Sequence, residues 1–250
     1  MVLTEFSTTL FIVALTAITI GALIKGMTGV GLPLIAVPVI ATFTSVEEAV
    51  VLMIIPTLGS NLWLVAAHRR FAGLVRAHLP FLIAGFLGGI FGTFALTAVD
   101  DRWLKLVLAA WLALYLLQFA FGNFLRSLFH AKAAAAAAVG FSGGAIQGAT
   151  GVSAHIVAPY FHGRKLAAEA YAYLVACAFL TFSAAQLVTA TGAELLSSQR
   201  LVLGTMALVP TLVFTRVGIR LAGKISQAAF QKLLIALLVL MEIKLLTDVF

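Results

Sequence analysis

Long apolar stretches separated by short charged segments run along the whole chain. No Asp, Glu, Lys or Arg occurs in residues 6–24, 77–99 or 133–163. A helix needs about 20 apolar residues to cross a hydrocarbon core of about 30 Å, and each of these stretches is close to that length or longer. The pattern therefore predicts a multi-pass, all-α membrane protein.

The apolar pattern divides into ten helical elements, five in each half of the chain. The elements 28–43 and 150–161 are too short to cross comfortably, and each follows a glycine-rich break. We therefore expect short broken or re-entrant helices at these two places, and eight to ten membrane elements in total. The predicted elements are 6–24, 28–43, 46–67, 79–98, 103–120, 133–147, 150–161, 167–190, 199–216 and 228–247.

The two halves carry related sequences at an offset of 122 positions. This offset places residues 26–30 (GMTGV) onto residues 148–152 (GATGV), and further matches occur at the same offset. Several matches at one offset indicate a duplication. We expect a first repeat over 1–122 and a second over 123–250, together forming one transmembrane domain.

The distribution of basic residues predicts the orientation. Because Lys and Arg accumulate in cytoplasmic loops, the basic segments are expected in the cytoplasm and both termini on the opposite side. The element 46–67 then runs inwards and the element 167–190 runs outwards, so the two repeats are predicted to be inverted, as in many secondary transporters. The basic segments are 68–78, 121–132, 162–166 and 216–232.

Composition supports the membrane interpretation and excludes several classes of soluble protein. The chain is 62% hydrophobic and 10% charged, whereas about a quarter of the residues of a typical soluble domain are charged. The net charge of +7 is concentrated in loops, so no nucleic-acid partner is expected. The one cysteine, Cys177, allows no internal disulfide. No cofactor, metal site or enzymatic activity is expected, since no H-E-x-x-H or phosphate-loop pattern occurs.

The two glycine-rich breaks are the main candidates for a substrate site. Glycine and proline interrupt a helix and free backbone groups that must face protein or water. The helix after each break presents N–H groups and a positive dipole end, which suit an anion. In inverted repeats the two tips can meet near the midplane. The expected substrate-binding residues are Lys25, Gly26, Thr28, Gly29, Gly31 and Pro33 in the first copy, and Gln147, Gly148, Thr150, Gly151, Ser153 and His155 in the second.

Lys25 is the one charged residue beside a break. An ammonium between apolar stretches is costly unless it faces a cavity or a partner. The alternative is that Lys25 lies at a helix end and extends to the lipid headgroups. Gln147 takes the same position in the second repeat, so it would bring an amide rather than a charge.

Four further polar residues are candidates for the transport pathway or for ion coupling: Glu47, Asn61, Glu169 and Gln186. Each glutamate precedes a long apolar run, where a carboxylate also stabilises a helix N-terminus. The two amides could equally hydrogen-bond neighbouring helices. A cluster of glycines at 85, 88, 89 and 92 has the spacing that lets helices pack closely.

The duplicated break, whose first copy continues as residues 31–35 (GLPLI), resembles the sulfite exporter TauE/SafE family of membrane permeases. The similarity of motifs lies at about 21–40 and 143–161, and the repeat layout extends it over nearly the whole chain. The resemblance implies transport of a small sulfur-containing anion such as sulfite, thiosulfate or an organosulfonate across the prokaryotic cytoplasmic membrane. It also implies that the family's glycine-rich pattern falls on Gly26, Gly29, Gly31, Pro33, Gly148 and Gly151, whereas Ser153, Ala154 and His155 depart from it.

We therefore predict a secondary transporter that moves a small sulfur-containing anion by alternating access, with a proton or sodium ion as the candidate coupling ion. An anion channel is the first alternative, because oriented backbone dipoles serve channels and transporters alike. An intramembrane enzyme is the second. It would need a nucleophile with a base, paired acids or metal ligands, and none of these clusters in the sequence.

Overall fold

The protein, described by a computed structural model, is built from helices. The structure describes residues 8–121, 135–164, 166–222, 224 and 227–249. These residues form ten α-helices and one 3₁₀ helix, and no strand. The helices are α1 (Thr8–Thr28), α2 (Leu32–Ala41), α3 (Val46–Ala67), the 3₁₀ helix (Arg69–His78), α4 (Leu79–Ala98), α5 (Asp101–Phe121), α6 (Ala136–Thr150), α7 (Ala154–His162), α8 (Ala168–Gly192), α9 (Ser198–Leu221) and α10 (Gln227–Val249).

Each predicted element corresponds to one of these α-helices, but the predicted boundaries at the two breaks were wrong. α1 continues to Thr28 and α6 to Thr150, so the short helices α2 and α7 begin about four residues later than expected. A helix tolerates glycine near its end, and α1 and α6 stop where Gly29 and Gly151 turn left-handed. The N-terminal residues, the predicted boundary between the repeats and residues 122–132 of a predicted basic segment lie outside the described residues.

Five of the described segments are long and apolar enough to cross a membrane. Large apolar side chains such as Ile83, Leu87 and Phe91 are more than half exposed and lie on one side of α4, as expected for a surface in contact with lipid. These observations confirm an all-α membrane protein. The five segments are Leu10–Thr28, Val46–Ala67, Arg69–Ala98, Ala168–Gly192 and Ser198–Leu221.

Glycine permits close packing of α4 against α6. A Cβ atom at Gly144 would lie 1.9 Å from the carbonyl oxygen of Gly85, and one at Gly88 would lie 2.1 Å from the carbonyl oxygen of Phe141. No side chain fits at such distances. The contact accounts for the glycine cluster that the sequence predicted to serve packing.

The main helix contacts run between the two halves, and each contact has a counterpart related by the repeat. α1 packs against α9, and α6 packs against α4. At the offset of 122 positions α6 is the counterpart of α1, and α9 is the counterpart of α4. The counterparts α3 and α8 pack against each other. Such an arrangement is expected when two halves are related by a two-fold axis.

Two groups of ion pairs lie at opposite ends of α3. Arg70, just beyond the C-terminus of α3, pairs with Glu169 in the first turn of α8. Arg200, near the start of α9, pairs with Glu47 and Glu48 in the first turn of α3, at 2.9 and 2.5 Å. The start of α8 is therefore beside the end of α3, and the two helices run antiparallel.

Candidate functional site

The two helix breaks meet at one cavity. Ten of its fourteen lining residues form five pairs whose members are 122 positions apart. The cavity is thus lined mainly by corresponding positions of the two halves. The pairs are Lys25 with Gln147, Gly29 with Gly151, Val30 with Val152, Gly31 with Ser153, and Thr57 with Phe179, and the other lining residues are Pro33, Leu34, Asn61 and Ala154.

Each break begins at a glycine in the left-handed backbone region. Gly29 has φ 81° and Gly151 has φ 71°, a conformation that L side chains rarely adopt. The Gly29 N–H donates to the carbonyl of Lys25 at 2.7 Å, and the Gly151 N–H donates to that of Gln147 at 2.8 Å. The same left-handed turn therefore ends α1 and α6.

The breaks differ at their third residue. Gly31, which precedes α2, has φ 134°, whereas Ser153, which precedes α7, has φ −130°. Only the first value requires glycine. Backbone geometry therefore explains why the second copy can depart from the glycine-rich pattern at Ser153.

Thr28 and Thr150 stabilise the turns and do not line the cavity. Each hydroxyl donates to the carbonyl four positions earlier, at 2.9 and 2.8 Å. Each also accepts from the N–H two positions later, at 3.3 and 3.2 Å. Both hydroxyls are therefore occupied by backbone groups.

Lys25 faces the cavity and is only 3% exposed. Its ammonium donates to Ser60 Oγ at 2.9 Å and to Asn61 Oδ1 at 2.7 Å. Ser60 Oγ and Asn61 Nδ2 in turn donate to the carbonyl of Thr57, at 3.1 and 2.8 Å. Within the described part of the chain, no carboxylate pairs with Lys25. Since an ammonium has three N–H donors, one is left for a further acceptor.

The second break is stabilised by neutral hydrogen bonds. Ser153 Oγ donates to Gln147 Oε1 at 2.9 Å, and Gln186 Nε2 donates to the Gln147 carbonyl at 3.0 Å. Trp111 Nε1 donates to the carbonyl of Val152 at 2.8 Å. The first half therefore brings a charge to the cavity, and the second half brings the Gln147 amide and the Ser153 hydroxyl.

Gly26 and Gly148 allow helices to approach each other and do not line the cavity. A Cβ atom at Gly26 would lie 2.1 Å from the carbonyl oxygen of Thr215 in α9. One at Gly148 would lie 2.6 Å from the carbonyl oxygen of Gly89 in α4. Their close contacts account for glycine at both positions without a substrate.

His155 lies in the core behind the cavity wall. It is 1% exposed, its ring lies edge-on to Trp111 with ring centroids 3.9 Å apart, and neither ring nitrogen has a hydrogen-bond partner among the described residues.

Eight of the predicted positions line the cavity and eight do not. The eight lining positions are Lys25, Gly29, Gly31, Pro33, Asn61, Gln147, Gly151 and Ser153. Those outside the lining are Gly26, Thr28, Gly148, Thr150, His155, Gln186 and the ion-paired Glu47 and Glu169.

Sequence reasoning missed Thr57, Ser60 and Phe179. Ser60 precedes Asn61 in an otherwise apolar run, and Thr57 lies one helical turn before Asn61, so helical spacing places the three on one face. Phe179 follows Thr57 by 122 positions. The helical spacing and the repeat offset together could have identified these residues.

A family model described as Sulfite exporter TauE/SafE matches residues 13–245 of the chain. The match includes both breaks and every residue that lines the cavity. No curated protein and no solved structure matches the chain.

Proposed function

The chain belongs to the sulfite exporter TauE/SafE family, and from this premise we propose that it carries a small sulfur-containing anion across the prokaryotic cytoplasmic membrane by alternating access. Sulfite, thiosulfate and small organosulfonates are the candidate substrates, and a proton or sodium ion is the candidate coupling ion. The observation that carries the proposal is the buried Lys25 ammonium, which faces a cavity between two helix breaks and pairs with no carboxylate of the described residues.

The electrostatics of the cavity favour an anion. Removing an ammonium from water costs several kcal/mol, and a nearby negative charge offsets that cost. The residues before α2 and α7, Gly31 and Ser153, both line the cavity. The positive ends of both helix dipoles therefore add to the potential of Lys25.

The arrangement of the halves supports alternating access. Counterpart helices α3 and α8 run antiparallel, and the cavity lies where corresponding residues of both halves meet. In transporters with inverted repeats, one half rocks against the other around such a central site. The ion pairs at the two ends of α3 are the contacts that this movement would break and form in turn.

Uptake into proteoliposomes tests the function. We expect saturable uptake of ³⁵S-labelled sulfite, thiosulfate or sulfoacetate, competition among these anions, and a large loss of uptake in Lys25→Ala. An imposed proton or sodium gradient should drive accumulation in a coupled transporter, whereas an anion channel would show no such coupling. Uptake of all three anions at the rate of protein-free liposomes would contradict the proposal. Sulfate serves as the comparison anion.

A further inference from the structure

Thr57 in α3 has a buried hydroxyl with no hydrogen-bond partner among the described residues. Its residue is 2% exposed and lines the cavity. Other threonines within the helices donate their hydroxyl hydrogen to the carbonyl four positions earlier, among them Thr93, Thr181 and Thr211. Leaving a buried hydroxyl unpaired is unfavourable. Thr57 thus keeps a donor unused at the wall of the cavity.

Three other buried hydroxyls in the described structure also have no hydrogen-bond partner: those of Ser183, Thr189 and Thr215. None of these residues lines the cavity. The position of Thr57, and not the missing hydrogen bond alone, therefore distinguishes it from them.

Thr57 is directly connected to the group that holds Lys25. The Thr57 carbonyl accepts hydrogen bonds from Ser60 and Asn61, and these two side chains accept from the ammonium. Lys25, Thr57 and Asn61 all line the cavity. Two residues of the same cavity wall, Lys25 and Thr57, therefore each have one donor without a partner among the described residues.

The corresponding position of the second half offers no such donor. Phe179 follows Thr57 by 122 positions and lines the cavity, as Thr57 does. A phenyl ring cannot donate a hydrogen bond, so the wall is polar on the side of the first half and apolar at the corresponding place on the other. This asymmetry favours an anion held against α1 and α3.

We propose that Thr57 is a substrate ligand whose hydroxyl donates a hydrogen bond to an oxygen of the anion that Lys25 attracts. The inference rests on the proposed transport of an anion through this cavity. Lys25 supplies the charge, while Thr57 supplies a directed hydrogen bond that selects an anion with an oxygen acceptor on that side.

Binding to purified variants in detergent tests this role, with ³⁵S-labelled sulfite, thiosulfate and sulfoacetate as probes. Thr57→Val removes the hydroxyl and nearly keeps the shape, whereas Thr57→Ser keeps the hydroxyl. Thr189→Val makes the same change at a buried, unpartnered threonine outside the cavity. We expect Thr57→Val to raise Kd at least tenfold, which corresponds to about 1.4 kcal/mol. Thr57→Ser and Thr189→Val should stay within about threefold of wild type on the same scale.

The salt dependence of binding separates the two donors. Because the hydroxyl is uncharged, Thr57→Val should leave the dependence of Kd on ionic strength unchanged, whereas Lys25→Ala should flatten it. An equal loss in Thr57→Ser would indicate packing and overturn the inference, as would wild-type affinity in Thr57→Val. If wild-type protein binds none of the three anions, the proposed function fails together with this inference. Binding by wild type with unchanged affinity in Thr57→Val overturns the inference alone.

Discussion

Lys25 has two neutral acceptors, Ser60 and Asn61, at 2.9 and 2.7 Å. Neutral hydrogen bonds offset only part of the several kcal/mol that desolvation of an ammonium costs. An anion in the cavity would offset more of it, so anion binding and burial of the charge are coupled. In the proposed function Lys25 attracts the substrate, and no carboxylate of the described residues pairs with it and competes with that substrate.

Replacement of Lys25 tests this role. Lys25→Ala should weaken binding of sulfite or thiosulfate at least tenfold, because about 1.4 kcal/mol of lost attraction is enough for that change. Lys25→Arg keeps the charge and should lose far less. Calorimetry over a range of salt concentrations measures both, and circular dichroism confirms folding. Affinity within about twofold of wild type in Lys25→Ala would leave recognition to backbone and hydroxyl donors.

The sequence could predict a lone cation beside a glycine-rich break, but not the partners of that cation. Ser60 and Asn61 are 35 and 36 positions from Lys25, and only the packing of α1 relative to α3 brings them together. The sequence also could not show that the Thr28 hydroxyl is occupied by backbone groups. A hydroxyl near a break has several acceptors, and the local turn decides which one it uses.

The helix breaks are three-residue connections with the same turn in both halves. Gly29 and Gly151 end α1 and α6 with positive φ, and the following residues lead directly into α2 and α7. Neither break contains a charged residue. The conformation of each break therefore determines the residue at which the short helix begins beside the cavity.

Leucine at either of these glycines should reduce transport. Gly29→Leu introduces strain because φ is 81°, although nothing lies within 4 Å of its Cβ position. Gly151→Leu adds a contact of 2.9 Å with Val37 Cγ2 to the strain of φ 71°. A left-handed residue costs about 1–2 kcal/mol, so we expect both variants to lose activity and Gly151→Leu to lose more thermal stability.

Gly192→Leu is the matched control for these variants. Gly192 ends α8 with no atom within 4 Å of its Cβ position and no positive φ. Its Tm in detergent and its uptake rate should stay close to wild type. If Gly29→Leu and Gly151→Leu also insert, fold and transport normally, the breaks have no part in the site.

The elements themselves were more predictable than their ends. Ten apolar stretches correspond to ten α-helices, yet the sequence placed the start of α2 and α7 too early. Glycine density marked the region of each break, whereas the backbone dihedral angles determined the residue at which the helix stops. The segment 68–78 was expected as a loop and is largely a 3₁₀ helix leading into α4.

At the scale of the whole molecule, polar contacts define two ends of the helix bundle. The N–H of Val46 donates to Asp101 Oδ1 at 2.7 Å, so the start of α5 lies at the same end as the start of α3. Arg70 and Glu169 lie at the other end. The sequence predicted these two ends from the distribution of charge, but it contained no information on which helices exchange contacts between the halves.

Cysteine labelling tests the predicted topology. Ala72 lies in the 3₁₀ helix near Arg70, and Asp100 directly precedes α5. The 20 residues of α4 separate them, a length of about 30 Å at 1.5 Å per residue. Because basic loops face the cytoplasm, a membrane-impermeant maleimide should label Ala72→Cys only from the cytoplasmic side. It should label Asp100→Cys only from the opposite side.

Both substitutions are made in a Cys177→Ala background, since the native thiol is the one cysteine of the chain and is buried. That background alone should remain unlabelled in sealed vesicles of either orientation. Labelling of positions 72 and 100 from the same side would mean that α4 does not cross the membrane. The two ion-pair groups would then lose their assignment to opposite surfaces, and the argument for inverted halves would fail with it. Labelling from opposite sides, with position 72 in the cytoplasm, would place Arg70 and Glu169 at the inner surface and the start of α3 at the outer one.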